Sequence, residues 1–286
     1  MLKKDITKER CETAQIDERR FHEMKTHNLE TVTFMIPVCI ESDDRLRNAK
    51  TVLGYLNHHF KTNVIIHELT NGDSKLQFLD LFKNLEIKHI IEQSDLKLYH
   101  RTRQINEMLN LVSTPIVVNY DIDVVLPIDT YIEAKKLISD MEYDVVYPYG
   151  DGMYQKMVST SFNRNIFHEK YDLNLITNDD FILWNAKYGH CIFLNTKKYK
   201  NAGGENELFI GYGPEDVERY ERFMKLDYKI IRINNLVYHF EHLRTNFSDS
   251  TNEYFSNNNN IYNSLSVLNK QEIIQYYNNI EYIKKI

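Results

Sequence analysis

Ile116-Val117-Val118-Asn119-Tyr120-Asp121-Ile122-Asp123 is the stretch that decides how the rest of the chain is read. Three β-branched residues open a run short enough for a buried strand, and two carboxylates close it. In extended backbone, residues two apart point to the same side, so Asp121 and Asp123 are expected together at the strand's carboxyl end. Like charges that close need a cation or a hydrogen-bond network. Both acids can reach one divalent cation, or one can hold the metal while the other orients a ribose or a water. An Asp-x-Asp is a weak signal alone, since about one arises by chance in a chain with this Asp content. Its place after a buried strand is what raises it.

Working back toward the amino terminus, residues 32–40 form a second apolar run, closed by Glu41-Ser42-Asp43-Asp44. Leu46, Ala49, Val52, Leu53 and Leu56 then recur at helical spacing. Residues 63–68 read as a strand, 78–85 as a helix, 89–91 as a strand and 103–111 as a helix. Strands alternating with helices predict an α/β fold whose sheet is mainly parallel and covered on both faces. Ligands gather beyond the carboxyl ends of such strands.

Toward the carboxyl terminus, residues 189–194 and 228–238 suggest two more strands, and the polar tract 257–260 punctuates the chain. Ile273, Ile274, Tyr277, Ile280 and Ile283 line one face of a terminal helix expected to dock on the protein's own core. Peripheral membrane or partner contact is the alternative for that stripe. Residues 1–30 carry seven basic and seven acidic side chains, the texture of a solvated or partly ordered arm. The expected organisation is therefore an arm over 1–30, a main domain over 31–248, and an Asn-rich segment with a helix over 249–286.

Composition excludes several classes. With 35 Lys+Arg against 41 Asp+Glu and a net charge of −6, nonspecific grip on nucleic acid is disfavoured. Cys11, Cys39 and Cys191 are scattered and form no CxxC pair, which argues against a disulfide framework or zinc knuckle and for a reducing compartment. No apolar run approaches the ~20 residues of a membrane helix. The charged start, Met-Leu-Lys-Lys-Asp, carries no secretory pattern, so a cytoplasmic location is expected.

Two further clusters carry chemistry. In Phe209-Ile210-Gly211-Tyr212-Gly213-Pro214-Glu215-Asp216, a glycine-rich turn leads into a helix whose first turn holds both acids. Acids there are ordinary capping residues. The glycines and Tyr212 also suit a sugar-binding rim, with a ring on the aromatic and hydroxyls on the acids. In Leu236-Val237-Tyr238-His239-Phe240-Glu241-His242, a His-x-x-His follows a strand. It offers imidazole to a metal already held by carboxylates, or serves structure through local hydrogen bonds.

Taken together, the three clusters resemble the GT-A fold of inverting nucleotide-sugar glycosyltransferases. They look most like the β-1,4-galactosyltransferases and related bacterial galactosyl- and N-acetylgalactosaminyltransferases. The likeness runs over residues 32–247. It implies a GT-A (Rossmann-like), mainly parallel sheet flanked by helices, with a helical carboxyl-terminal extension. It further implies Mn2+ (or Mg2+) of a UDP-sugar on Asp121 and Asp123, with Ile122 between them and His239 or His242 completing the set. In the family's Trp-Gly-x-Gly-Glu-Asp segment the second acid is the base, which falls on Asp216 here. Glu215, Tyr212 and Gly213 would hold the sugars. Tyr99-His100-Arg101-Thr102-Arg103-Gln104-Ile105-Asn106 is similar to the family's Phe-Asn-Arg-Ala-Lys-x-x-Asn stretch, placing Arg101 near the diphosphate. Pro37 and Val38 fall in the nucleotide loop, and Glu68 where an acid meets uracil or ribose.

The sequence departs from that pattern in places. Val38-Cys39-Ile40-Glu41 stands where the family carries Phe-Arg-x-Arg, Tyr212 replaces a Trp and Pro214 a Gly. The implied reaction moves a hexose or N-acetylhexosamine, galactose type favoured, to a glycan, lipid-linked or protein acceptor. A metal-dependent phosphohydrolase or nucleotidyltransferase, and a sugar-binding module without turnover, are the competing readings.

Overall fold

In the computed structural model, residues 26–96, 98–243 and 249–283 are described. Most of the charged arm, residues 1–25, lies outside them, and its last residues already belong to a strand.

The stretch that opened the reading forms β4 (Ile116–Tyr120), buried at every position. It sits at the centre of a seven-stranded sheet. On one side it pairs in parallel with β1 (His27–Cys39), which pairs with β2 (Phe60–Thr70), which pairs with β3 (Leu85–Gln93). On the other side lie β9 (Cys191–Asn195), β6 (Val145–Tyr147) and β10 (Ile230–Arg232). β9 runs antiparallel to both β4 and β6, and β10 is parallel to β6. The sheet is thus mainly parallel, as the alternating pattern requires.

A smaller sheet supplies the rest of the frame. Its order is β5 (Val124–Val125), β11 (Val237–Phe240), β7 (Gly152–Val158) and β8 (Phe181–Ala186). β5 follows β4 after a turn, so the two sheets are joined directly at the carboxylates.

Helices cover the large sheet. In α1 (Asp43–His59), the Ser42 hydroxyl accepts from the Arg45 amide at 3.3 Å, while Asp43 and Asp44 begin the helix and His58 and His59 end it. Ala49, Val52, Leu53 and Leu56 are buried, the face predicted from their spacing. α2 (Arg101–Leu111) and α3 (Ile128–Ser139) also pack on the sheet. α4 (Arg164–Lys170) packs on α1, and α5 (Thr196–Asn201) follows β9. α6 (Glu215–Lys225) starts at the acids that follow Pro214. α7 (Phe255–Ser266) and α8 (Lys270–Asn278) dock against α6.

Several boundaries differ from expectation. Residues 78–85 hold only a single 3-10 turn, Leu79–Leu81, with Leu85 opening β3. Asn84 is tethered to the end of α1: its amide N donates to Asn57 Oδ1 at 2.9 Å and its Nδ2 to Asn57 O at 2.8 Å. An eight-residue apolar pattern has too few turns to form a helix against such a tether. Residues 228–238 hold the whole of β10 and the start of β11, which belong to different sheets. The polar tract 257–260 lies inside α7 rather than between elements. α8 ends at Asn278, so Ile280 and Ile283 follow the helix, though Ile283 is still buried.

Candidate active site

At the carboxyl end of β4 the chain does not stay extended. The Val124 amide donates to Asp121 O at 3.4 Å, and the Tyr120 hydroxyl donates to Val124 O at 2.7 Å, folding the segment into a turn. β5 then pairs antiparallel with β11, setting Val124 opposite His239, and the Phe240 amide donates to Asp123 O at 2.8 Å. The turn therefore sends the two acids to different partners. The expected extended backbone is thus corrected to a turn, though both acids still line one cavity.

Asp123 goes to the histidines. Its Oδ2 lies 3.0 Å from His242 Nε2 and its Oδ1 3.6 Å from His239 Nε2. One ligand atom from each of the three residues falls within 4.8 Å of the others. Burial works to raise the Asp123 carboxyl, but the facing rings of His239 and His242 overcome it and hold it well below the usual carboxylate range. Burial conversely works to lower His242, and the hydrogen bond and charge of Asp123 raise it. A hard oxygen and two imidazoles facing one point form a donor set that fits Mn2+ better than Ca2+ or Mg2+.

Asp121 goes instead to Arg101, whose Nη2 donates to its Oδ1 at 2.7 Å and to Asn119 Oδ1 at 3.2 Å. Burial opposes the Arg101 charge, but Asp121, Asp216 and Glu215 around it raise its affinity for the proton. Its Nη1 is shut off from solvent without a hydrogen-bond partner. A buried cationic donor left over in this way suits an anionic ligand such as a diphosphate.

The start of α6 lines the same cavity. Asp216 Oδ1 is held by Arg219 Nη2, and Arg219 Nη1 donates to Glu205 Oε1 at 2.8 Å, with both members of that second pair 1% exposed. Asp216 Oδ2 faces Gly189, where an added Cβ would stand 3.2 Å away. Glu215 is pushed up to about 8, first by burial and then by the charge of Asp216, against the pull of Arg101 and Arg219. Its Oε2 is buried with no hydrogen-bond partner.

Pro37, Arg101, Asp121, Ile122, Asp123, Tyr212, Glu215, Asp216, His239 and His242 all line one cavity of about 320 Å3. Arg45, Tyr99 and His190 line it too, and sequence reasoning missed them. Arg45 was legible as the first basic residue after the Ser42 cap. His190 carries no such signal; it sits at a positive φ of 67°, and its ring binds Gln155 Oε1 at 3.0 Å.

Three expected contacts fall elsewhere. Glu68 is fully buried and engaged: Oε2 accepts from Ser74 Oγ at 2.6 Å and faces His89 Nε2 at 2.9 Å, while Oε1 accepts from the Lys75 amide at 2.7 Å. It lines no part of the cavity, because a buried acid on a central strand needs such partners nearby. Val38 is buried beside it in the β1–β2 register. Gly213 lies behind the loop, against Asn258.

A second carboxylate–imidazole group exists among the described residues. His67 Nε2 lies 3.1 Å from Glu92 Oε2, and Nδ1 lies 3.4 Å from Glu107 Oε2. The two acids thus face opposite edges of one ring, and Arg103 bonds both of them. One ligand atom from each of these three residues also falls within 4.8 Å of the others, as at Asp123, but here a guanidinium already bonds both acids. A larger cavity, about 450 Å3, lies away from the site between β3 and residues 74–83.

A family model for the N-terminal domain of galactosyltransferase matches residues 176–246, which include Gly189, Tyr212, Glu215, Asp216, His239 and His242. No curated protein matches the chain by sequence. Among solved structures, S. aureus TarS 1-349 in complex with UDP-GlcNAc aligns at a TM-score of 0.55 with 14% identity, covering 87% of this chain and 71% of that one. A second structure of S. aureus TarS 1-349 aligns at a TM-score of 0.52 with 15% identity, covering 87% of this chain and 70% of that one. The mannosyltransferase PcManGT from Pyrobaculum calidifontis, in complex with GDP-Man and Mn2+, gives a TM-score of 0.49 with 15% identity, over 75% of this chain and 57% of that one. The chain therefore spans little more than half the length of that last structure. The fold is that of the GT-A glycosyltransferases.

Proposed function

We propose that the protein is a metal-dependent, inverting glycosyltransferase. It moves a hexose or N-acetylhexosamine, galactose type favoured, from a UDP-sugar to a hydroxyl on a glycan, lipid-linked or protein acceptor. The observation that carries this reading is one cavity lined by the Asp123–His239–His242 group, Arg101, Glu215 and Asp216 together. The GT-A fold and the galactosyltransferase match over 176–246 support it.

The chain's own residues divide the work. Arg101, locked by Asp121 and Asn119, turns its remaining buried donor on the diphosphate. Asp123, His239 and His242 would hold Mn2+, or Mg2+, which would supply neutralisation of the charge that develops on the leaving diphosphate. Asp121 takes the role of orienting Arg101 and the donor rather than ligating directly. Asp216 is the general base. With Oδ1 tied to Arg219, its Oδ2 accepts the proton of the attacking hydroxyl. Such assistance contributes about 10²–10⁴-fold, roughly 3–5 kcal/mol of barrier. Glu215 retains its proton near neutrality and donates a hydrogen bond to a sugar oxygen. Tyr212 gives the acceptor ring a face to rest on, which holds it within attacking distance.

Residues 31–248 are the unit proposed to carry this chemistry, with 249–286 as its extension. Among the described residues no helix is long and apolar enough to cross a membrane. Cys39 and Cys191 are buried thiols, in keeping with a proposed cytoplasmic setting.

The test incubates the protein with Mn2+ and a panel of UDP-sugars, with and without glycoside acceptors, and measures UDP released and the anomer formed. Acceptor-dependent UDP release that EDTA abolishes is expected. Acceptor-independent release of sugar phosphate would replace this reading with a phosphohydrolase. Binding without any turnover would leave a sugar-binding module.

A further inference from the structure

The loop that carries Tyr212 is held from behind by a residue far beyond it. Asn258, on α7, is fully buried, and its side-chain amide is committed to that loop. Its Nδ2 donates to Ile210 O at 2.7 Å and to Tyr212 O at 3.0 Å, while Ile210 N donates to its Oδ1 at 3.3 Å. Both donor bonds of the amide and its carbonyl oxygen are therefore spent on the backbone of two loop residues, Ile210 and Tyr212.

The surroundings match. Gly211 adopts a positive φ of 64° and Gly213 leaves no space: an added Cβ would stand 2.8 Å from Asn258 Cβ and Nδ2. The Phe255 ring, one turn earlier on α7, stacks on Tyr212 at 5.8 Å between centroids and 24° between planes. On the other side, the Gly211 amide donates to Tyr99 O at 3.2 Å, and Tyr99 lines the cavity. α7 is itself fastened to the helix that carries Glu215 and Asp216, by Tyr262 hydroxyl to Glu221 Oε1 at 2.7 Å and Lys225 Nζ to Ser266 O at 2.7 Å. An asparagine run is poor helix material, and side-chain amides in helices usually face water or their own backbone. Here one amide crosses to a loop at the mouth of the cavity instead.

We infer that Asn258 is a positioning residue for the acceptor. It fixes the height and tilt of the 210–213 loop, and hence of the Tyr212 ring on which the acceptor pyranose rests, so the carboxyl-terminal helices form the outer half of the acceptor subsite. The part concerning the acceptor rests on the glycosyltransferase reading; the clamp on the loop does not.

The experiment therefore has two readouts on the full chain. Hydrogen–deuterium exchange is followed in Asn258→Ala and Asn258→Asp against the parent protein. Exchange in residues 210–213 should rise at least tenfold while the centre of α6 stays unchanged; unchanged exchange in the loop overturns the clamp. Kinetics are then measured with p-nitrophenyl glycosides of galactose, glucose and N-acetylglucosamine as acceptor probes. Asn258→Ala should raise acceptor KM about tenfold or more, while the donor KM and acceptor-free UDP-sugar hydrolysis move less than twofold. In a Tyr212→Ala background the same substitution should add almost nothing to acceptor KM, because its effect passes through that ring. Equal losses for donor and acceptor, or full additivity with Tyr212→Ala, would overturn the positioning role. If Asn258→Ala unfolds, Phe255→Leu tests the same link from the stacking side. A parent protein with no turnover on any donor would sink the glycosyltransferase reading, and the exchange result would still decide the clamp.

Discussion

The molecule builds two groups from the same kinds of side chain, and they do opposite things. At Asp123, two imidazoles converge on one carboxylate at the edge of a cavity. At His67, two carboxylates flank one imidazole and a guanidinium closes over both. The first arrangement leaves donor atoms facing a common point, which a cation can occupy. The second already holds a cation: Arg103 bonds both acids, and burial lowers the His67 ring against the pull of Glu107 and Glu92. Residue types alone do not separate them. Nor does the spacing of their donor atoms; the guanidinium bonded to the second group does.

The contrast is sharpest in metal dependence. Asp123→Ala should lower Mn2+-dependent turnover by about 10³-fold and weaken metal-dependent UDP binding, since it removes the anionic ligand. Glu92→Gln with Glu107→Gln should leave the Mn2+ titration where it was. Calorimetric Mn2+ binding settles the pair, and normal metal-dependent UDP affinity in Asp123→Ala would move the metal away from this cluster.

Asp216→Asn comes next. A fall in kcat of about 10²–10⁴-fold is expected, with UDP and Mn2+ affinity retained. Near-normal transfer in that variant would discard Asp216 as the base.

His67→Ala should act on stability instead. Removing a buried ring from between Glu92 and Glu107 is expected to destabilise the fold by about 2–3 kcal/mol, read as a lower urea midpoint. Mn2+ affinity should not change. A weakened Mn2+ affinity would show that the two groups are not independent.

The smallest effect concerns Glu215. Its carboxyl is raised from 4.5 to about 8 in the folded protein, so between those values the folded state binds more protons than the unfolded chain. Its contribution to stability accordingly diminishes as pH rises through that window. Glu215→Gln should flatten this part of the stability profile, measured as Tm against pH; an unaltered slope would mean that the acid is ionised throughout.

Much of the frame was legible because it rests on local periodicity. β4 occupies the quoted apolar run, and α1 buries the face that Leu46, Ala49, Val52, Leu53 and Leu56 announce. What was not legible depends on contacts distant in sequence. The turn after Tyr120 parts Asp121 from Asp123 because β5 must pair with β11, a partner no local pattern reveals. Residues 78–85 lose their helix to the tether between Asn84 and Asn57. Asn258 sits in a tract whose composition signals a break, yet α7 runs through it because the side chain finds three partners on the 210–212 backbone. For the candidate site, the acids and histidines singled out by type and place, Glu68 excepted, fall in one cavity, while Arg219 and His190 enter through folded geometry alone.

The pairing of β5 with β11 also bears on the order in which a working molecule comes into being. Asp123 leaves the ribosome early and His239 late, and the strand that delivers the histidine must slot between β5 and β7 after both exist. A nascent chain halted before Val237 can assemble the parallel half of the large sheet but has no imidazole to set beside Asp123. The proposed metal group is thus complete only once residues 237–242 have been made, and a chain halted before them is expected to bind no Mn2+ there.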